Sequence, residues 1–84
     1  MTRLVYFAWV RERIGLAEEE VTLPETVRTV ADLLEWLKNR GEGYAAALEH
    51  ARAIRVAINQ EHVDHRECID GAREIALFPP MTGG

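Results

Sequence analysis

The chain has 84 residues, 48% of them hydrophobic and 29% charged, which is enough for one globular domain with a modest core and no second domain. The net charge is −4, and the nine arginines and single lysine, Lys38, are scattered, which argues against nucleic acid as a partner. One cysteine, Cys68, precludes an internal disulfide and points to a reducing compartment; the longest apolar run, Leu4 to Val10, falls far short of the roughly 20 residues that span a bilayer, so a cytoplasmic protein is expected.

Residues 3 to 10 are apolar on both alternating faces and predict a central strand covered at least partly on each side. Arg11 to Glu20 is polar with Gly15 and predicts a loop, with Glu18-Glu19-Glu20 as a solvated face. A second strand is expected near Glu20-Val21-Thr22-Leu23, ended by Pro24. Thr29-Val30-Ala31-Asp32 has the form of a helix start, a threonine cap with a carboxylate three residues on. Val30, Leu33, Leu34 and Leu37 follow as one apolar stripe, and Arg40-Gly41 supplies a cationic last turn and a stop. Trp36 lies off the stripe and is expected over the sheet edge. Glu42 to Ala53 predicts a second, weaker helix with Tyr44, Leu48 and Ala51 on its apolar face.

Ile54 to Ile58 alternates clearly and predicts a third strand, which Asn59-Gln60 turns into a short strand at Glu61-His62-Val63. Asp70-Gly71 leads to the last strand, Glu74 to Phe78. The expected class is α+β: a mixed sheet with one main helix and a shorter second helix across one face. If the first and last strands pair as central neighbours, the end of the chain leaves from the middle of the sheet. The expected organisation is a domain over residues 1–78 and an extended tail over 79–84.

Few residues suggest chemistry. His62, His65 and Cys68 are spaced three apart but fall in a polar hairpin with no fourth ligand at a usual spacing, so no metal is expected. Cys68 reads as a buried, inert thiol. No Ser-His-Asp set, carboxylate pair or glycine-rich phosphate loop is visible, and a non-catalytic protein without a permanently bound cofactor is expected.

The end of the chain is the exception: Phe78-Pro79-Pro80-Met81-Thr82-Gly83-Gly84. Neither proline can donate to a sheet ladder, and each fixes φ, so the chain leaves the sheet stiff and extended. Six residues from Pro79 reach about 20 Å at roughly 3.3–3.6 Å each. Two glycines without Cβ present no steric wall to a narrow channel. A carboxylate at Gly84 is a poor electrophile, so another protein must activate it, most simply with ATP as an acyl-adenylate. Sulfur could then displace AMP to leave a thiocarboxylate, or a lysine amine could attack to form an isopeptide bond.

Four segments carry a family resemblance. Tyr6-Phe7-Ala8-Trp9-Val10-Arg11-Glu12, followed by Gly15, is similar to the opening of the ubiquitin-like β-grasp sulfur carriers, the family of the molybdopterin synthase small subunit. Thr29 to Leu34, Val56-Ala57-Ile58-Asn59-Gln60 and Ala76 to Gly84 resemble that family's helix start, third-strand ending and tail. Gly71-Ala72-Arg73-Glu74 departs from the family's usual Gly-Asp-Glu turn.

The resemblance implies a β-grasp fold and a Gly84 that is adenylated and converted to a thiocarboxylate. Met81, Thr82 and Gly83 would pass the tail into a synthase large subunit, where sulfur goes to cyclic pyranopterin monophosphate. Phe7, Arg11, His62, Phe78, Pro79 and Pro80 match partner-contact positions, with His62 where an apolar residue is often found. The implied partners are the large subunit in a heterotetramer of two small and two large chains, a ubiquitin-activating-like adenylyltransferase that uses ATP, and a sulfur-donor protein. Carriers for thiamine or tRNA thiolation, and ubiquitin-like modifiers of lysine, are the alternatives that share a diglycine end.

Overall fold

A computed structural model describes residues 1–80. Five strands form one sheet in the order β2-β1-β5-β3-β4: β1 (Thr2–Tyr6), β2 (Glu18–Val21), β3 (Arg55–Ile58), β4 (Glu61–Val63) and β5 (Glu74–Phe78). Only β1 and β5 run parallel; the other neighbours are antiparallel, so the sheet is mixed. The first and last strands are neighbours, and β5 is the middle strand of the five, so the condition under which the end of the chain leaves from the middle of the sheet is met.

Strand alternation divides the sheet into two faces. Leu4 and Tyr6 of β1, Val21 of β2, Val56 of β3 and Ile75 and Leu77 of β5 point into one core with Val30, Leu33, Leu34 and Leu37 of α2 (Val30–Lys38). The expected cap is present in both directions: Thr29 accepts from the Asp32 N–H at 3.2 Å, and Asp32 accepts from the Thr29 N–H at 3.2 Å. Two further first-turn donors, the N–H groups of Val30 and Ala31, reach Glu67 and His65 carbonyls, so the loop after β4 closes the helix end. A helix crossing one face of a mixed sheet with parallel central strands is the β-grasp arrangement.

Several expectations need correction. The strand expected over residues 3–10 ends at Tyr6, and Ala8–Ile14 is a helix, α1, where the rest of the segment was expected to be strand and loop. Val10 is fully buried and Ile14, one turn on, packs against the same core; an unbroken apolar run does not separate strand from buried helix by periodicity. Gly15 is the left-handed residue that ends α1, its N–H donating to the Arg11 carbonyl at 2.8 Å. The second strand also starts earlier than expected, at Glu18, because β1 pairs with Glu18 through Val21.

The second long helix is broken. It runs over Glu42–Ala47 (α3), and a single 3-10 turn follows at Ala51–Ala53. Leu48, at the end of α3, and Ile54, after the 3-10 turn, are both core residues, and the bend between them lets each reach the core. Gly43 fixes where α3 meets α1: a Cβ there would lie 2.6 Å from the Arg13 carbonyl oxygen. Finally, Cys68 is exposed rather than buried; its backbone bridges to Thr29, which turns the next side chain, Ile69, into the core.

Candidate functional site

The sheet face opposite the helices is short-chained and apolar at its centre. Val5 of β1, Ala76 of β5 and Ala57 of β3 all point outward, and Ala57 pairs directly with Ala76 on one side and His62 on the other. One end of this face is walled by aromatic rings. Phe7 meets Phe78 edge-to-face with centroids 6.1 Å apart, and His62 meets Phe78 in the same geometry at 5.2 Å. Phe7 is 47% exposed, whereas Phe78 is half-buried between its two neighbours and less open than its terminal position suggests.

Backbone geometry sets this trio. The Phe7 N–H donates to the Leu77 carbonyl at 3.1 Å, extending the β1–β5 ladder one step before the chain turns into α1. The turn is made at Ala8, which takes a left-handed φ of 51°, sparsely populated for a residue with a Cβ. At the other side, Asn59 and Gln60 both have positive φ, the signature of a tight two-residue hairpin, and this fixes the β3–β4 register that places His62. The Asn59 Oδ1 also accepts from the N–H groups of Arg73 and Glu74, tying the hairpin to the start of β5.

The tail root lies at this same end. Phe78 is the last residue of β5, and Pro79 and Pro80 continue from it, both half-buried. The remaining expected tail residues, Met81, Thr82, Gly83 and Gly84, lie outside the described residues. Arg11 is one helical turn beyond Phe7, its N–H donating to the Phe7 carbonyl at 3.3 Å, and its side chain is exposed. The three-apart series separates: His62 is against Phe78, His65 Nε2 lies 2.7 Å from the Ile54 carbonyl oxygen, and Cys68 is beside Thr29.

A polar cluster props the far edge of the sheet. Glu19 was expected in a solvated loop; instead it is on the inward face of β2. Tyr6 and Tyr44 donate to Glu19 Oε2 at 2.7 and 2.6 Å, and Arg40 donates to Oε1 at 3.2 Å. Burial alone would raise the Glu19 pKa, but these three donors together hold it below the usual carboxylate value. Burial and the adjacent carboxylate push both tyrosine hydroxyls up, Tyr6 the further. The Arg40 guanidinium also covers Trp36 and Tyr44, with 5.0 and 5.2 Å to the ring centroids. This is a structural clamp on the helix side of the sheet, the face opposite the aromatic trio.

The model of the ThiS family matches residues 4–84. The chain belongs to the ThiS family. As a ThiS-family chain it is 36% identical to the molybdopterin synthase sulfur carrier subunit of Haemophilus influenzae and 33% identical to that of Escherichia coli, each over the whole of both chains. Its structure is also similar to small archaeal modifier protein 1 of H. volcanii, with a TM-score of 0.70 and 28% identity, covering 95% of this chain and 97% of that one.

Sequence reasoning placed Phe7, His62 and Phe78, and the structure brings those three together. It missed Val5, Ala57 and Ala76, which face away from the helices between them, with Ala57 and Ala76 buried beneath their neighbours. Their signal was present: in Arg55-Val56-Ala57-Ile58, turning Val56 and Ile58 toward the helices puts Arg55 and Ala57 on the other face. Among the described residues no helix is long and apolar enough to cross a membrane.

Proposed function

We propose that the chain is the sulfur carrier of a molybdopterin synthase, with Gly84 as the residue that holds the sulfur. The observation that most supports this is the position of the tail root. The central strand β5 ends in the aromatic trio and passes directly into Pro79-Pro80. A partner seated on that face is thereby next to the point from which the tail departs.

The chemistry divides between the chain and its partners. An adenylyltransferase joins the Gly84 carboxylate to the α-phosphate of ATP and releases pyrophosphate. Sulfide-level sulfur (HS⁻) from a donor protein attacks the acyl carbon, AMP leaves with the bonding electron pair, a proton is released, and a thiocarboxylate remains. On the large subunit that sulfur is delivered to cyclic pyranopterin monophosphate, water supplies the replacing oxygen, and the carboxylate is restored. Two carriers supply one dithiolene, which fits a heterotetramer of two small and two large chains. The carrier contributes a bare, slender terminus through Met81, Thr82, Gly83 and Gly84. Phe7, Arg11, His62, Phe78, Pro79 and Pro80 provide the docking surface. ATP visits only the activating enzyme, and the single exposed thiol suits a reducing cytoplasm.

Deleting Gly84 tests this directly. Deletion withdraws the acyl carbon by about 3.5 Å, while reacting atoms must approach within about 3–3.5 Å. Incubated with the activating enzyme, ATP and a sulfur donor, the intact chain should gain the mass difference between sulfur and oxygen, and the deletion should gain none with its melt unchanged. A truncated chain that is still thiolated would sink the assignment of Gly84.

The likeness to small archaeal modifier protein 1 supports a second reading, attachment to lysines, through the same activated acyl group. Higher-mass conjugates of the chain in cells, lost on deletion of Gly84, would favour it.

A further inference from the structure

Beside the tail root is a groove of about 600 Å³, lined by Arg52, Arg55, His62, His65 and Pro80 over a floor that includes Ile54. We propose that this groove seats an acidic segment of the large subunit, with Arg52 and Arg55 as its charged contacts. The proposal rests on the reading of the chain as that subunit's carrier.

The first argument is charge. In a chain of net charge −4, the groove sets two guanidiniums against one carboxylate, Asp64. Asp64 is already engaged, accepting the Arg66 N–H at 2.8 Å and lying 3.6 Å from its guanidinium. His65 is committed to the Ile54 carbonyl. The ion pairs among the described residues use Arg3, Arg40 and Arg66, and neither Arg52 nor Arg55 takes part in one.

The second argument is continuity with the docking face. Arg55 pairs directly with Phe78 across β3 and β5, and His62 belongs both to the groove and to the aromatic trio. Directly opposed residues have Cβ atoms about 4.5–5.5 Å apart. A protein that covers Phe78 therefore also strips water from the Arg55 guanidinium. A desolvated cation without a counter-charge is strongly unfavourable, so the covering surface must bring a carboxylate, which a guanidinium can hold bidentately. Arg52, from the 3-10 turn beneath, widens the site from one carboxylate to a short acidic segment.

Charge reversal tests this with the purified large subunit and the full-length carrier. Association and affinity are measured at about 0.01 M and 1 M salt, where the screening length falls from about 30 to about 3 Å. The R52E/R55E variant should bind about tenfold or more weakly at low salt and lose the salt dependence of association, with an unchanged melt. R73E, a single reversal with half that charge change just before the opposite end of β5, should bind as the parent does. If R52E/R55E melts early, R52A/R55A is read in the same way.

Binding by the reversal variant equal to the parent, or weakened no more than R73E, overturns the proposal. So does a groove that takes inorganic phosphate, seen as shifted Arg52 and Arg55 amide signals, while binding of the large subunit ignores the reversal. Phe78→Ala separates the two levels of the argument. Weak binding by Phe78→Ala with normal binding by R52E/R55E removes the groove alone, normal binding by both removes the docking face at the tail root, and a parent chain that does not bind the large subunit removes the carrier reading beneath them.

Discussion

Replacing Phe78 by alanine should cost both stability and binding, in amounts the structure sets. Truncating a fully buried phenylalanine costs about 3–5 kcal/mol. Phe78 is more than half covered, so more than half of that, about 2–3 kcal/mol, applies to the free chain. Part of the loss is its two edge-to-face contacts, each worth about 0.5–1.5 kcal/mol. In a domain this small, about 2 kcal/mol lowers the melting temperature by roughly 10 °C. The uncovered part of the ring remains for a partner, and its loss should weaken binding to the large subunit by about 1–2 kcal/mol, or about 5- to 30-fold. Urea unfolding and calorimetric titration measure the two effects separately. A Phe7/Phe78 double-mutant cycle should show coupling in the free chain within the range of one aromatic pair. A stability loss above about 4 kcal/mol would make Phe78 a core residue, and unchanged binding would remove the docking face; either outcome refutes the reasoning.

Gly43→Ala should destabilise by about 1–3 kcal/mol, because the new methyl meets the Arg13 carbonyl and α1 must move away from α3; a neutral result in chemical denaturation would mean the two helices are farther apart. The Glu19 clamp should make stability fall at both ends of the pH scale. Its depressed carboxyl contributes above the ordinary glutamate value of 4.5, and that contribution is lost as pH falls through the lower folded value. The raised tyrosines contribute fully below their ordinary value of 10.0, and their contribution is lost as pH rises beyond it. Glu19→Gln should cost about 1–3 kcal/mol at neutral pH and flatten the acid limb, while Tyr6→Phe should weaken the alkaline one; limbs unchanged in both variants would contradict the hydrogen bonds described.

What the sequence disclosed depended on whether one period governed a segment. The α2 stripe and its cap were legible because the apolar residues recur at helical spacing and Thr29 and Asp32 bracket the start. The hairpin at Asn59-Gln60 and the last strand with its prolines were legible for the same kind of reason, a local conformation demanding particular residues. Leu4 to Val10 was not, because an apolar residue at every position satisfies both periods, and only the packing of Val10 and Ile14 decides where strand becomes helix. Glu19 was misread because three successive glutamates look solvated, although alternation turns the middle one inward. The diglycine tail motivates the proposed chemistry, and the family resemblance pointed to Phe7 and Phe78; the alanines between them carry no chemical signal and matter only through the cross-strand register.

The central place of β5 also determines how the molecule responds to being pulled. A tail drawn into a channel transmits tension along β5, parallel to its ladders with β1 on one side and β3 on the other. In that direction the hydrogen bonds of both ladders are strained together in shear, and none can open singly as it would if an edge strand were peeled away. Resistance to such tension is governed by the rate of unfolding, which cooperative rupture keeps slow. On the proposed sulfur-carrier reading, a pull on the end of the chain would load both ladders at once, a mechanical property that follows from the central place of β5 in the sheet.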